Sequence, residues 1–187
     1  MNNIVQLMTT TEGRISRKSW WLGVVILIVL GIVVSLVLGL VGLSMWPNMA
    51  ALSSGDAQAI SDAVAASMRA AGWGSLISFV ILAYPGYALS MKRRHDRDNN
   101  GLDLQIYYGL AFIVLLLQAL GVGYTQAPIP GVEGVTIPQP GMITNILGIA
   151  VGIFALYLLV VLGFLRGTMG PNQYGPDPVG GTATATA

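Results

Sequence analysis

The sequence predicts an all-α, polytopic membrane protein with four transmembrane helices arranged as two hairpins, and three observations lead there. Of the 187 residues 54% are apolar and only 9% are charged, against roughly 25% charged in an ordinary soluble domain. Four apolar stretches divide the chain, each long enough for the ~20 residues that a helix needs to cross a bilayer. Eight of the nine Lys and Arg lie in alternate gaps between these stretches, the asymmetry of a multispanning protein that keeps its basic loops in the cytoplasm. Both termini are therefore expected on the cytoplasmic side.

Residues 1–12 form an N-terminal segment in which Ile4, Val5, Leu7 and Met8 can dip into the membrane interface. Arg14, Arg17 and Lys18 then precede the first span, about 20–45. Trp21 to Leu43 carries no charge and exceeds the roughly 7–15 apolar residues of a secretory signal, so it reads as a retained anchor. The cations at its start oppose the helix dipole, at a cost of ~0.3–1 kcal/mol each; topology explains them better than helix stability does.

The first external loop, Trp46 to Gly72, is rich in Ala and Ser. Ile60, Val64 and Met68 recur in it at i, i+4, i+8 after Ser54 and Asp56, which predicts a short amphipathic helix that covers the bundle or leads into the second span. That span, about 73–91, contains Tyr84-Pro85-Gly86. Proline there removes a backbone donor and frees the carbonyl of Ile81, so a kink is expected. The third span covers about 102–122. Gly123 to Met142, with many Gly and Pro, is expected as an irregular connector, and the fourth span covers about 143–165. One membrane domain, 13–178, thus accounts for nearly everything. Residues 179–187, Val-Gly-Gly-Thr-Ala-Thr-Ala-Thr-Ala, have almost nothing to bury and read as a disordered tail.

Helices in lipid associate by close approach at small residues. Gly31, Ser35 and Gly39 in the first span, Gly74 and Ser78 in the second, and Gly148 and Gly152 in the fourth supply such ridges, either for a compact bundle or for a homo-oligomer face. No ionisable residue lies deep in a span; Gln118 and Asn145 are the main polar groups. That argues against proton coupling, since pumps keep ionisable groups at depth.

Three segments should meet on the cytoplasmic side: Gly13-Arg14-Ile15-Ser16-Arg17, then Lys92-Arg93-Arg94-His95-Asp96-Arg97-Asp98-Asn99-Asn100-Gly101, then Gly170-Pro171-Asn172-Gln173-Tyr174-Gly175-Pro176-Asp177-Pro178. With these three motifs in order, the chain resembles the bacterial inner-membrane family known as domain of unknown function 805. Arg94 stands where that family usually has leucine, Asn100 replaces a serine and Leu102 a tryptophan. The resemblance implies a four-span fold in the bacterial inner (plasma) membrane and no assigned biochemistry.

Read physically, the middle motif pairs Lys92 with Asp96 and Arg94 with Asp98 at i, i+4 if the helix continues, giving exposed pairs of ~0.3–0.5 kcal/mol each. Asn99-Asn100-Gly101 is a turn signal, and Asp103 suits the start of the next helix. Tyr174 is expected to rest its ring at the membrane interface. The last motif is expected to fold back as a strap that brings Asp177 or Asn172 near Arg14, Arg17 or Arg93. His95 beside Asp96 suggests metal or acid–base chemistry only weakly: one histidine is too few for a metal cluster, and no nucleophile accompanies it. No catalytic, metal or cofactor residue is therefore assigned. The candidate interaction cluster is Arg14, Arg17, Lys92, Arg93, His95, Asp96, Asn172, Tyr174 and Asp177, facing anionic lipid headgroups or an unknown protein partner. Nucleic acid is excluded, because the basic run is largely cancelled by its own carboxylates. A small channel or transporter is the alternative, and an enzyme using His95 and Asp96 the weaker one.

Overall fold

The computed structural model describes residues 4–43, 49–129 and 132–180. Its helices are α1 (Ile4–Thr9), α2 (Arg17–Leu40), the single turn α3 (Met49–Leu52), α4 (Ala57–His95), α5 (Leu102–Leu120) and α6 (Met142–Leu159). A π-helical turn, Val160–Phe164, ends α6, and strands β1 (Tyr124–Pro128) and β2 (Thr136–Pro140) lie between α5 and α6. Among the described residues, α2, α4, α5 and α6 with its π turn are long and apolar enough to cross a membrane. Along α2, Leu22, Val25, Ile28, Val29, Ile32, Val33 and Leu36 are all exposed. Only lipid can solvate so continuous an apolar surface. The protein is a four-span membrane protein.

Local chemistry sets most boundaries. Ser16 Oγ accepts the Ser19 N–H at 3.3 Å and starts α2, while Asp56 Oδ1 accepts the Gln58 N–H at 3.0 Å and starts α4; both are side-chain N-caps. The expected loop helix and second span prove to be one helix of 39 residues. Nothing between Ala57 and Trp73 breaks the helical pattern, and α4 continues through Pro85. The C-terminus of α4 is closed by Asp98 at φ 54°. The Asn99 N–H reaches the Arg94 carbonyl at 3.1 Å and the Asp98 N–H the His95 carbonyl at 3.0 Å, the paired bonds of a Schellman motif.

The expected irregular connector is instead an antiparallel hairpin, with Tyr124 opposite Pro140 and Pro128 opposite Thr136. Both strands are edges, so their prolines need not donate to a further ladder. The chain divides into two compact units, one of Met1–Leu30, Leu82–Tyr108 and Ile153–Ala187, the other of Gly31–Ile81 and Gly109–Gly152.

In the second unit, Gly74 lets α4 approach the Leu43 carbonyl, and Gly72 packs on the Ala119 backbone. Phe79 and Phe112 lie 6.4 Å apart. Ser61 Oγ accepts the Thr136 N–H at 3.1 Å, which ties the hairpin to α4. Asn145 donates to the Pro140 carbonyl at 2.7 Å. A cavity of about 280 Å³ is lined by Met68, Arg69, Gln118, Tyr124, Gln126 and Pro138, among others. Within the chain and among the described residues, the small-residue ridge expected on α6 packs on no other element: outside its own helix nothing lies within 4 Å of a Cβ built on Gly148 or Gly152. Ser35 on α2 is likewise exposed.

The first unit has its core in Leu7, Ile15, Trp20, Leu89, Met91, Leu104, Leu158 and Leu162. Segment α1 joins that core through Leu7, with Ile4 and Val5 left exposed. Of the expected tail, Val179 and Gly180 are exposed; 181–187 lie outside the described residues, as does the expected end of the first span at Met45.

Candidate functional site

All three motifs meet in the first unit, and main-chain carbonyls set most of the geometry. A π turn widens the last turn of α6, with the Leu165 N–H bonding the Val160 carbonyl at 3.2 Å. Helix ends leave carbonyls without intrahelical donors. Here five consecutive ones, Leu162 to Arg166, each receive a side-chain donor. Arg93 Nε donates to Leu162 at 2.8 Å, Trp21 Nε1 to Gly163 at 3.2 Å and Arg17 to Phe164 at 3.0 Å. Arg93 also bonds the Leu165 carbonyl, and Arg97 reaches Arg166 at 3.1 Å. Three guanidiniums at the negative end of a helix dipole are favourable there.

Asp96 is the counter-charge at the centre. Its carboxylate pairs with Arg14 at 3.0 Å and with Arg93. Arg93 is fully buried, and Asp96 and Arg14 are 3% and 8% exposed. Buried pairs of this kind persist only when the remaining donors are satisfied, and Arg14 meets that condition. Beyond Asp96 it donates to the carbonyls of Gly170 at 2.7 Å, Gly175 at 3.2 Å and Thr168 at 2.7 Å. The strap is thus held by its backbone. Asn172 adds a bond from Nδ2 to the His95 carbonyl at 2.9 Å, and Thr168 donates both N–H and hydroxyl to the Asp96 carbonyl, at 2.8 and 3.0 Å.

The expected i, i+4 pairs do not form. Because the Schellman cap ends the helix before Asp98, that residue has left the helical register and instead accepts a bond from Gln173 at 3.1 Å. Arg94 turns to Asp103 at 2.8 Å. Lys92 donates to the Gln6 and Leu7 carbonyls, both at 2.7 Å, and so pins α1 to α4. Lys92, Arg94 and Asp96 are buried, whereas Asp98 is exposed. Nor does Asp177 meet an arginine within ion-pair distance, since none of the three pairs among the described residues includes it. Its carboxylate accepts the Gly170 N–H at 3.0 Å and the Val179 N–H at 2.9 Å. Those two bonds hold it below the usual carboxylate range, and the charge of Arg14 adds a smaller push.

Tyr174 packs on the end of α4. Its ring stacks on His95, centroids 3.9 Å apart and nearly parallel; His95 Nδ1 lies 3.3 Å from the Gly13 carbonyl. His95 is thus packed against the strap, and Asp96 is the counter-charge of two arginines. The turn is as expected: Asn99 Oδ1 accepts the Gly101 N–H at 2.8 Å and Asn100 Oδ1 the Leu102 N–H at 3.2 Å. Gly101, at φ +71°, leaves no room for a side chain beside Met91.

Every residue of the sequence-derived cluster lies in this unit. Sequence reasoning missed the π-turn carbonyls and Thr168 as acceptors and Trp21 as a donor, since main-chain oxygens and a single indole bond carry no signature in side-chain type or spacing. Among the described residues no group of three His, Cys, Asp or Glu is placed to hold a metal ion.

Four apolar spans and, within the first unit, a buried arginine–aspartate knot define a small polytopic membrane protein. The family described as "Protein of unknown function (DUF805)" matches residues 8–176, and the chain belongs to it. No curated protein and no solved structure matches.

Proposed function

We propose that this chain is a non-enzymatic protein of the bacterial inner membrane, with both termini cytoplasmic, whose motif-bearing face binds anionic lipid headgroups. One observation carries the reading: Arg17, Lys18 and Arg166 stay exposed beside the exposed aromatics Trp21 and Phe164. Aromatic side chains favour the headgroup level, and each basic residue near an anionic leaflet gains about 1 kcal/mol. The charge distribution agrees with it. Eight Lys and Arg and five Asp and Glu fall in the motif-bearing unit, against one Arg and three acids in the other. The non-enzymatic reading is supported by Asp96, whose carboxylate both Arg14 and Arg93 hold as a counterion.

Native mass spectrometry of protein released from mixed nanodiscs tests the proposal. Retention of phosphatidylglycerol over phosphatidylcholine is expected; equal retention of both, or a tightly bound protein in place of lipid, overturns it. A second reading, passage of a small neutral solute, draws on the cavity bounded by Arg69, Gln118 and Gln126. Liposome flux measurements decide that one, with no flux expected under the first reading.

A further inference from the structure

We propose that Arg17 and Arg166 form a discrete phosphate-binding site. It lies in a cavity of about 160 Å³ whose walls include Arg17, Arg93, Asp96, Arg166, Thr168 and Asp177. The inference rests on the headgroup reading above and narrows it to one place and one chemistry.

The cations of this unit divide into two groups. Arg14, Lys92, Arg93, Arg94 and Arg97 donate to carbonyls or carboxylates of the protein. Arg166 is exposed, and its guanidinium has no hydrogen bond or ion pair among the described residues. Arg17 donates one N–H to the Phe164 carbonyl, which leaves most of its five donors for a ligand. The carboxylates in the wall are engaged elsewhere: Asp96 serves two arginines, and Asp177 accepts the N–H groups of Gly170 and Val179. Around this cavity positive charge exceeds negative.

The start of α2 points the same way. Its first turn holds Arg17 and Lys18 and no acidic residue, so cations sit at the positive end of a 24-residue helix where N–H groups lack intrahelical partners. Arg17 is offset in part by the Phe164 carbonyl at the negative end of α6, and no carboxylate stands in the first turn of α2. A phosphate there supplies the missing negative charge and accepts paired N–H bonds from planar guanidiniums. The cavity exceeds the ~30 Å³ share of one water several times over, room for a phosphate with its substituent projecting outward. The group can come from a phospholipid or from a soluble phosphate compound.

Four proteins decide the matter: wild type, Arg166→Gln, Arg17→Gln/Arg166→Gln, and Lys18→Gln as an exposed cation outside the cavity. Phosphatidylglycerol retention from nanodiscs reads the lipid source. Inorganic phosphate titrated against the detergent-purified protein, followed by unfolding temperature, reads the soluble one. About fivefold weaker binding per arginine removed is expected in whichever arm the wild type responds, with a clearly smaller loss in Lys18→Gln, which lies outside the cavity. Among the described residues the Arg166 side chain has no protein partner to lose, so Arg166→Gln keeps the test open if the double variant misfolds. Wild-type retention of anionic lipid that falls equally in Lys18→Gln, or survives in Arg166→Gln, overturns the site and leaves the headgroup reading standing. No wild-type preference in either arm overturns both.

Discussion

Asp96 is the residue on which the motif-bearing unit turns, because two buried guanidiniums share its carboxylate. Removing one partner of a buried ion pair costs about 3–5 kcal/mol, since the other charge is left uncompensated. Asp96→Asn should therefore lower unfolding stability in detergent by about that much, and Arg14→Gln combined with Asp96→Asn should cost clearly less than the sum of the two. Additive losses would mean that the pair does not couple. Asp177 makes a second prediction, with pH. Its folded pKa lies below the usual 3.8, so its contribution is complete above the ordinary carboxylate range and fades as pH falls through the depressed value. Protection against hydrogen exchange across residues 168–178, taken relative to the intrinsic rate at each pH, should fall on acidification from about pH 5 to about pH 3, and Asp177→Asn should abolish that dependence. The residue types at this face were legible from sequence, whereas their partners were not. An i, i+4 rule presumes a continuous exposed helix, and here Asp98 at φ 54° breaks the register that the rule needs.

At the scale of elements, long apolar periodicity made all four spans legible, and the N-cap residues Ser16 and Asp56 placed two of the starts. The fusion of the loop helix into α4 was half visible, because the pattern of Ile60, Val64 and Met68 showed a helix but not that it lacked a break. The hairpin was hidden by its prolines, which as single residues argue against strand. Gly101 offers a direct test of the turn between α4 and α5. Its φ of +71° and the nearness of Met91 make Gly101→Ala costly, about 1–3 kcal/mol, read as a fall in unfolding temperature. Gly148 is the counterpart. With open space around it, Gly148→Ala should leave unfolding temperature and particle size unchanged; a loss of either would show that α6 is covered by a second copy.

For the molecule as a whole, the charge asymmetry between units predicts orientation. The chain has no cysteine, so single substitutions report cleanly. Glu133→Cys should react with an impermeant maleimide in intact cells, and Asn100→Cys only after the inner membrane is opened. The opposite pattern would invert the topology and remove the lipid reading with it. Sequence carried the number of spans well, since apolar length is a property of composition and order, and the orientation it implies is what this labelling tests. It did not carry how the face closes, because that closure depends on main-chain oxygens.

Arg14 grips the strap at the carbonyls of Thr168, Gly170 and Gly175, atoms that every amino acid possesses. Such a clasp measures spacing and ignores spelling. Exposed letters such as Pro171 can be exchanged at little cost, while one inserted residue between Gly170 and Gly175 would slide an oxygen out of reach and spring the buckle.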